Sequence, residues 1–81
     1  MKTIPVYLRN MQDAKHIVQA AESCRKDVDL LCGRYVVDAK SMLGVFSLPC
    51  FDDVKIRVEE SDAETLMKYL EHVDVIRMEE H

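Results

Sequence analysis

Val37-Asp38-Ala39-Lys40-Ser41-Met42-Leu43-Gly44-Val45-Phe46-Ser47-Leu48 reads as the end of a strand running into a serine-capped apolar turn. Serine suits a helix N-cap because its side-chain oxygen can accept a backbone N–H from the first turn. Met42, Leu43 and Phe46 then follow on a short helix. Immediately upstream, Asp27 to Cys32 alternates through Val28, Leu30 and Cys32, and Gly33-Arg34 supplies a tight turn. Tyr35 to Asp38 returns as the hairpin partner. Downstream, Val54-Lys55-Ile56-Arg57-Val58-Glu59 alternates strictly, with Val54, Ile56 and Val58 on one face and charges on the other. That is the period of a strand with one buried side.

The two ends of the chain extend the pattern. Ile4, Val6 and Leu8 alternate along Lys2 to Leu8, and Pro5 makes this an edge or bulged strand. From Met11 to Cys24 the period changes to that of an amphipathic helix, with Ala14, Ile17, Val18 and Ala21 on the apolar stripe and Lys15, His16, Gln19 and Ser23 facing away. Asn10 is a suitable N-cap for it. Ser61-Asp62-Ala63-Glu64 has the form of a capping box that opens a last helix, whose stripe is Ala63, Leu66, Met67, Leu70 and Val73. Asp74 and Arg77 interrupt that stripe, so Val73 to Met78 fits either a helix end or an extended tail. His81 carries no structural signal. The order βαββαβα predicts an α+β open-faced sandwich, a four-stranded antiparallel sheet with its helices on one face. Residues 1–81 form one expected domain, with 74–81 as its tail.

Composition bounds function more loosely. A chain of 81 residues allows one domain, burying about 60% of the surface its unfolded chain exposes. Apolar residues make up 48% and charged residues 32%, a globular balance. No apolar run is long enough for a membrane span or a signal peptide, which predicts a cytoplasmic protein with no membrane partner. The three cysteines, Cys24, Cys32 and Cys50, lack Cys-x-x-Cys spacing. Free thiols in a reducing compartment are therefore expected, with no disulfide framework and no metal site. A net charge of −4 with scattered basic residues argues against nucleic acid as a partner. No Gly-rich phosphate loop or ligand-spaced cluster is present, so neither enzymatic activity nor a cofactor is expected.

The serine segment and the element order together resemble HPr, the small histidine phosphocarrier family of the bacterial sugar phosphotransferase system. The likeness runs in register from the first helix to the fourth strand, with a similar final helix. The family places its phosphorylated histidine at the N-cap of the first helix, in a His-Ala-Arg-Pro motif, where free N–H groups and the helix dipole favour an anion. Counting back from Ala21, Val18 and Ile17, the motif positions fall on Asn10, Met11, Gln12 and Asp13, all of which differ from it. Asparagine can cap the helix, but its amide is not a phosphoryl nucleophile in the way a neutral imidazole is. Gln12 stands where the motif has arginine, and Asp13 adds negative charge to the same turn. The loop before this point is shortened, since the strand alternation runs through Leu8.

Two histidines are alternatives to the missing one. His16 lies nearly opposite the apolar stripe and more than a turn inside the helix, and His72 lies near the end of the last helix, where a charge–dipole interaction accounts for it. The resemblance gives more weight to Ser41. In the Gram-positive branch of the family, the matching serine is phosphorylated by an ATP-dependent kinase, and the modified protein binds a transcriptional regulator of carbon catabolite repression. Lys40 lies beside Ser41, and Met42, Leu43 and Phe46 match the family's apolar contact patch. The interaction with the regulator also leans on the arginine that is Gln12 here. The resemblance thus implies a non-enzymatic regulatory or interaction protein. Its expected partners are a serine kinase and a transcriptional regulator or transport component. The alternatives are a phosphocarrier that uses His16, and a small assembly domain without phosphotransfer that associates through Lys2 to Leu8.

Overall fold

The computed structural model describes residues 1–77. In chain order the elements are β1 (Lys2–Val6), α1 (Met11–Glu22), β2 (Val28–Cys32), β3 (Tyr35–Asp38), α2 (Met42–Phe46), β4 (Val54–Val58) and α3 (Glu60–His72). The strands form one antiparallel sheet in the order β1-β4-β2-β3. This is the expected βαββαβα open-faced sandwich.

Register explains the core. Ile4, Ile56 and Leu30 align across β1, β4 and β2, and Val6, Val54 and Cys32 form the next rung. All six point to the buried face. Against them pack Ala14, Ile17, Val18 and Ala21 of α1 and Ala63, Leu66 and Leu70 of α3, in a single apolar cluster. Thr3, Arg57 and Asp29 share a row on the other face, where the Arg57 guanidinium donates to Asp29 at 2.7 Å. A hydrophobic face and a charged face on one strand are the physical content of the alternation seen in Val54–Val58.

The β2–β3 hairpin turns at Gly33-Arg34, with Cys32 opposite Tyr35 and a φ of 60° at Gly33. The strand–helix junction that follows is tight. The Asp38 carbonyl accepts from Ser41 N–H at 3.2 Å, its carboxylate accepts from Lys40 N–H at 2.9 Å, and the Val28 carbonyl accepts from Ala39 N–H at 2.9 Å. A Cβ at Gly44 would lie 3.1 Å from the Asp38 carbonyl oxygen, so glycine lets α2 close onto the end of β3.

Two sequence expectations change, and a third point, left open between two forms, is decided for the described residues. First, the Ser61/Glu64 capping box is not formed. The helix begins at Glu60 with Glu59 as a cap that makes no side-chain bond. Asp62 instead falls in the first turn and reaches across to the loop after α1, accepting from Lys26 N–H at 2.9 Å and Arg25 N–H at 3.2 Å. Those hydrogen bonds, led by the one from Lys26, hold its carboxyl below the usual aspartate range despite its burial.

Second, β1 ends at Val6, and Tyr7 to Arg9 leave the strand as irregular chain. Third, the tail is extended. Asp74 adopts φ 57°, Val75 N–H donates to the Leu70 carbonyl at 3.3 Å and Asp74 N–H to the Glu71 carbonyl at 3.3 Å. This is a Schellman-type stop, with Val75 buried beyond it. The chain then runs antiparallel beside β1: Ile76 bridges Val6, Tyr7 N–H donates to the Val75 carbonyl at 2.7 Å, and Arg77 N–H donates to the Pro5 carbonyl at 3.0 Å. Pro5 does lie on an edge strand of the sheet. Met78 and His81 lie outside the described residues.

Candidate functional site

Two helix starts converge on one side of the sandwich. At the start of α1, Asn10 Oδ1 accepts from Asp13 N–H at 2.9 Å, as expected for an N-cap. Asp13 then folds back. Its carboxylate accepts from Arg9 N–H at 2.8 Å, from Arg9 Nε at 2.8 Å and from Arg9 NH2 at 3.3 Å. The result is a reciprocal cap locked by an ion pair, with the Arg9 guanidinium also 4.5 Å above the Tyr7 ring and donating to the Asp74 carbonyl at 3.3 Å.

Asp13 is buried. Desolvation alone would raise its pKa, but the side-chain and backbone hydrogen bonds from Arg9 and the positive charge nearby outweigh it, and the net shift is downward. The extra negative charge expected in this turn is therefore held against a guanidinium rather than displayed. Gln12 is exposed and lies 3.0 Å from His16 Nε2. That fixes His16 to the flank of α1, a turn inside the helix.

At the start of α2, Ser41 is the cap anticipated from the sequence: its Oγ accepts from Gly44 N–H at 3.1 Å. Ser41 as a residue is half-buried. Lys40 is turned away to other work. Its ammonium donates to the Cys24 carbonyl at 3.2 Å, near the carbonyl-rich end of α1, where a cation is favoured. Met42 packs partly against the core and Val45 is fully buried. Leu43 and Phe46 do not pack onto the sheet: they are 85% and 47% exposed.

Between the start of α1 and the end of α2 lies a largely apolar cavity of about 230 Å³, lined by Leu8, Arg9, Asn10, Met11, Ala14, Phe46 and Phe51. On the other side of Met11, a second hollow is lined by Lys15, Val18, Lys40 and Met42 among others. Met11 is itself exposed and forms the ridge between them. Four of the sequence candidates, Asn10, Lys40, Met42 and Phe46, thus line these hollows. Leu43 lies outside them and Ser41 sits at the rim of the helix they border.

Sequence reading missed Arg9, Phe51 and one covalent bond. Arg9 and Asp13 are four residues apart across a cap, an ion-pair spacing that could have been noticed. Phe51 had no periodic context. The expectation of three free thiols is corrected: Cys32 and Cys50 form a disulfide with Cα atoms 6.8 Å apart, and Cys24 alone is free, and buried. Spacing could not reveal this, because the loop after α2 returns the chain to the end of β2. The argument from free thiols to a reducing compartment goes with it. Among the described residues no group of His, Cys, Asp and Glu is arranged to hold a metal ion, and no helix is long and apolar enough to cross a membrane.

A capped first helix, a serine-capped short helix and an open antiparallel sheet define a small phosphotransfer-type sandwich. A family model described as "PTS HPr component phosphorylation site" matches residues 10–73, most of the chain. The chain belongs to the HPr family of the phosphotransferase system. Among solved structures, it is similar to the crystal structure of HPr-C-His from Thermoanaerobacter tengcongensis, with 26% identity, a TM-score of 0.71 and 90% of each chain covered. A comparison with curated proteins gave no match.

Proposed function

We propose that this chain is a non-enzymatic regulatory or interaction protein of the phosphotransferase system, acting as a single cytoplasmic domain and switched by phosphorylation at Ser41. It does not serve as a histidine phosphocarrier. The observation that carries this reading is the half-buried Ser41 cap beside exposed Leu43 and Phe46. Phosphate on Ser41 would add about −1.5 to −2 charge at pH 7 next to an apolar surface, changing what the surface can bind while leaving the core alone. Leu43, Phe46 and Met42 supply the contact area for a protein partner, and exposed leucine and phenylalanine side by side favour burial against one. Lys40 anchors the loop after α1 through its ammonium and lines the hollow beside Met42.

Family membership supports partners drawn from the phosphotransferase system and its regulation: a serine kinase, and a transcriptional regulator or transport component. Against phosphate relay, the start of α1 holds Asn10 with Asp13 and Arg9 closed over it, and the chain's histidines are His16, His72 and His81. Incubation with a cognate HPr serine kinase and ATP is expected to add one phosphate to the protein and none to Ser41→Ala. An unmodified protein would remove the switch. Incubation with phosphoenolpyruvate and the general phosphotransferase enzyme is expected to leave no acid-labile label. Label that vanishes in His16→Ala would restore the carrier role.

A further inference from the structure

The Cys32–Cys50 bond has no part in the reading above. Cys32 closes β2 in the same rung as Val6 and Val54 and is 2% exposed, whereas Cys50 lies exposed in the loop between α2 and β4. Polar anchors stand on either side of it. Leu48 N–H donates to the Val45 carbonyl at 3.3 Å, and the Arg77 guanidinium donates to the Asp52 carbonyl at 3.0 Å and to Asp53 Oδ1 at 2.9 Å. Between these anchors, among the described residues, Pro49, Cys50 and Phe51 make no hydrogen bond, and the disulfide is their one tie to the sheet. Phe51 on that span walls the cavity at the start of α1, opposite Leu8, Met11 and Phe46.

We propose that Cys32–Cys50 is a thiol-exchange site, and that opening it releases Phe51 from the wall of this cavity. The reductant is a dithiol. Its thiolate attacks the sulfur of Cys50, the exposed residue of the pair, forming a mixed disulfide and expelling the Cys32 thiolate, which takes up a proton. The second thiol of the reductant loses its proton and attacks its own sulfur of the mixed disulfide, expelling the Cys50 thiolate, which is protonated in turn. The reductant leaves as a disulfide, and two electrons have passed to the cysteine pair. Burial of Cys32 blocks the opposite order of attack, since exchange depends on access to the sulfur. A monothiol needs a second molecule of itself to resolve the mixed disulfide on Cys50. Cys24 does not compete from within, because it is buried in the core. The exchange requires neither Ser41 nor its phosphate.

The test uses the full chain purified without reductant. Alkylation and mass analysis should find Cys32 and Cys50 unlabelled. After brief treatment with dithiothreitol both should become free, with Cys50 labelled before Cys32 in the native state. The ring resonances of Phe51, which walls the cavity, should then move to their random-coil positions, as for a local opening. The amides of Leu30 and Ile56 should stay as they were. Cys50→Ser, which needs no reductant, should reproduce the shifted Phe51 resonances. A purified protein with no disulfide overturns the proposal, as do unchanged Phe51 ring resonances after reduction. Acceleration of amide exchange through β2 and β4 also overturns it, since the bond would then hold the whole sheet rather than the Phe51 span.

Discussion

The starts of α1 and α2 use the same device to different ends. In each, a side-chain oxygen accepts the N–H three residues on, from Asn10 to Asp13 at 2.9 Å and from Ser41 to Gly44 at 3.1 Å. Around Asn10 the device is closed: Asp13 returns a bond to Arg9 N–H and its charge is matched by the Arg9 guanidinium. Around Ser41 nothing returns. Its neighbours Leu43 and Phe46 face solvent. A cap is thus not a site in itself; what surrounds it decides whether an incoming phosphate meets a filled or an open place.

The largest expected break in this comparison comes from Asp13→Ala. It removes hydrogen bonds of a buried carboxylate from both a guanidinium and a backbone N–H, and should cost about 2 kcal/mol in urea unfolding. A loss equal to that of Ser41→Ala would mean the closed cap is no stronger than the open one. Asn10→Ala should cost about 1 kcal/mol, the usual value of an N-cap. Ser41→Ala should cost less than about 1 kcal/mol, because the helix it starts is so short.

Acid separates the two caps by mechanism. The folded pKa of Asp13 lies below its unfolded value, and so does that of Asp62. Their contribution is complete above the unfolded value, about 3.9, and is lost as pH falls through the lower folded value. Stability of the parent should therefore fall below about pH 4, and that fall should be shallower in Asp13→Asn. Ser41→Ala should leave the slope as it was, since a hydroxyl does not titrate in this range. Equal slopes in parent and Asp13→Asn would remove Asp13 from the acid response. The smallest effect on stability is expected from Leu43→Ala, within about 0.5 kcal/mol for so exposed a side chain. The same substitution should weaken binding of a partner that recognises the Ser41 surface, which a pull-down of phosphorylated protein would read.

Most of the fold was legible because periodicity records which side of an element is buried. The alternation at Val54–Val58 and the stripe Ala14/Ile17/Val18/Ala21 both met the core as expected. The Ser41 cap was legible for the same local reason. What failed was anything set by a contact between distant segments. Asp62 left its own helix start to hold the loop at Arg25 and Lys26, and so displaced a capping box whose residues fit the local pattern. Cys32 and Cys50 are far apart in sequence and came together only through the returning loop. At Asn10, the sequence identified the cap but counted the Asp13 charge as added to that turn, because its partner Arg9 lies outside the helix.

The tail beside β1 has a consequence for how copies of this chain can add to one another. Its hydrogen bonds occupy the Pro5–Tyr7 end of that strand, and proline offers no donor of its own, leaving only Lys2 to Ile4 along that border. At the opposite border, β3 stands uncovered with Tyr35 and Val36 exposed. Among the described residues the β1 border is the partly filled one and the β3 border the open one. Strand addition through β3 would close a pair by two-fold symmetry.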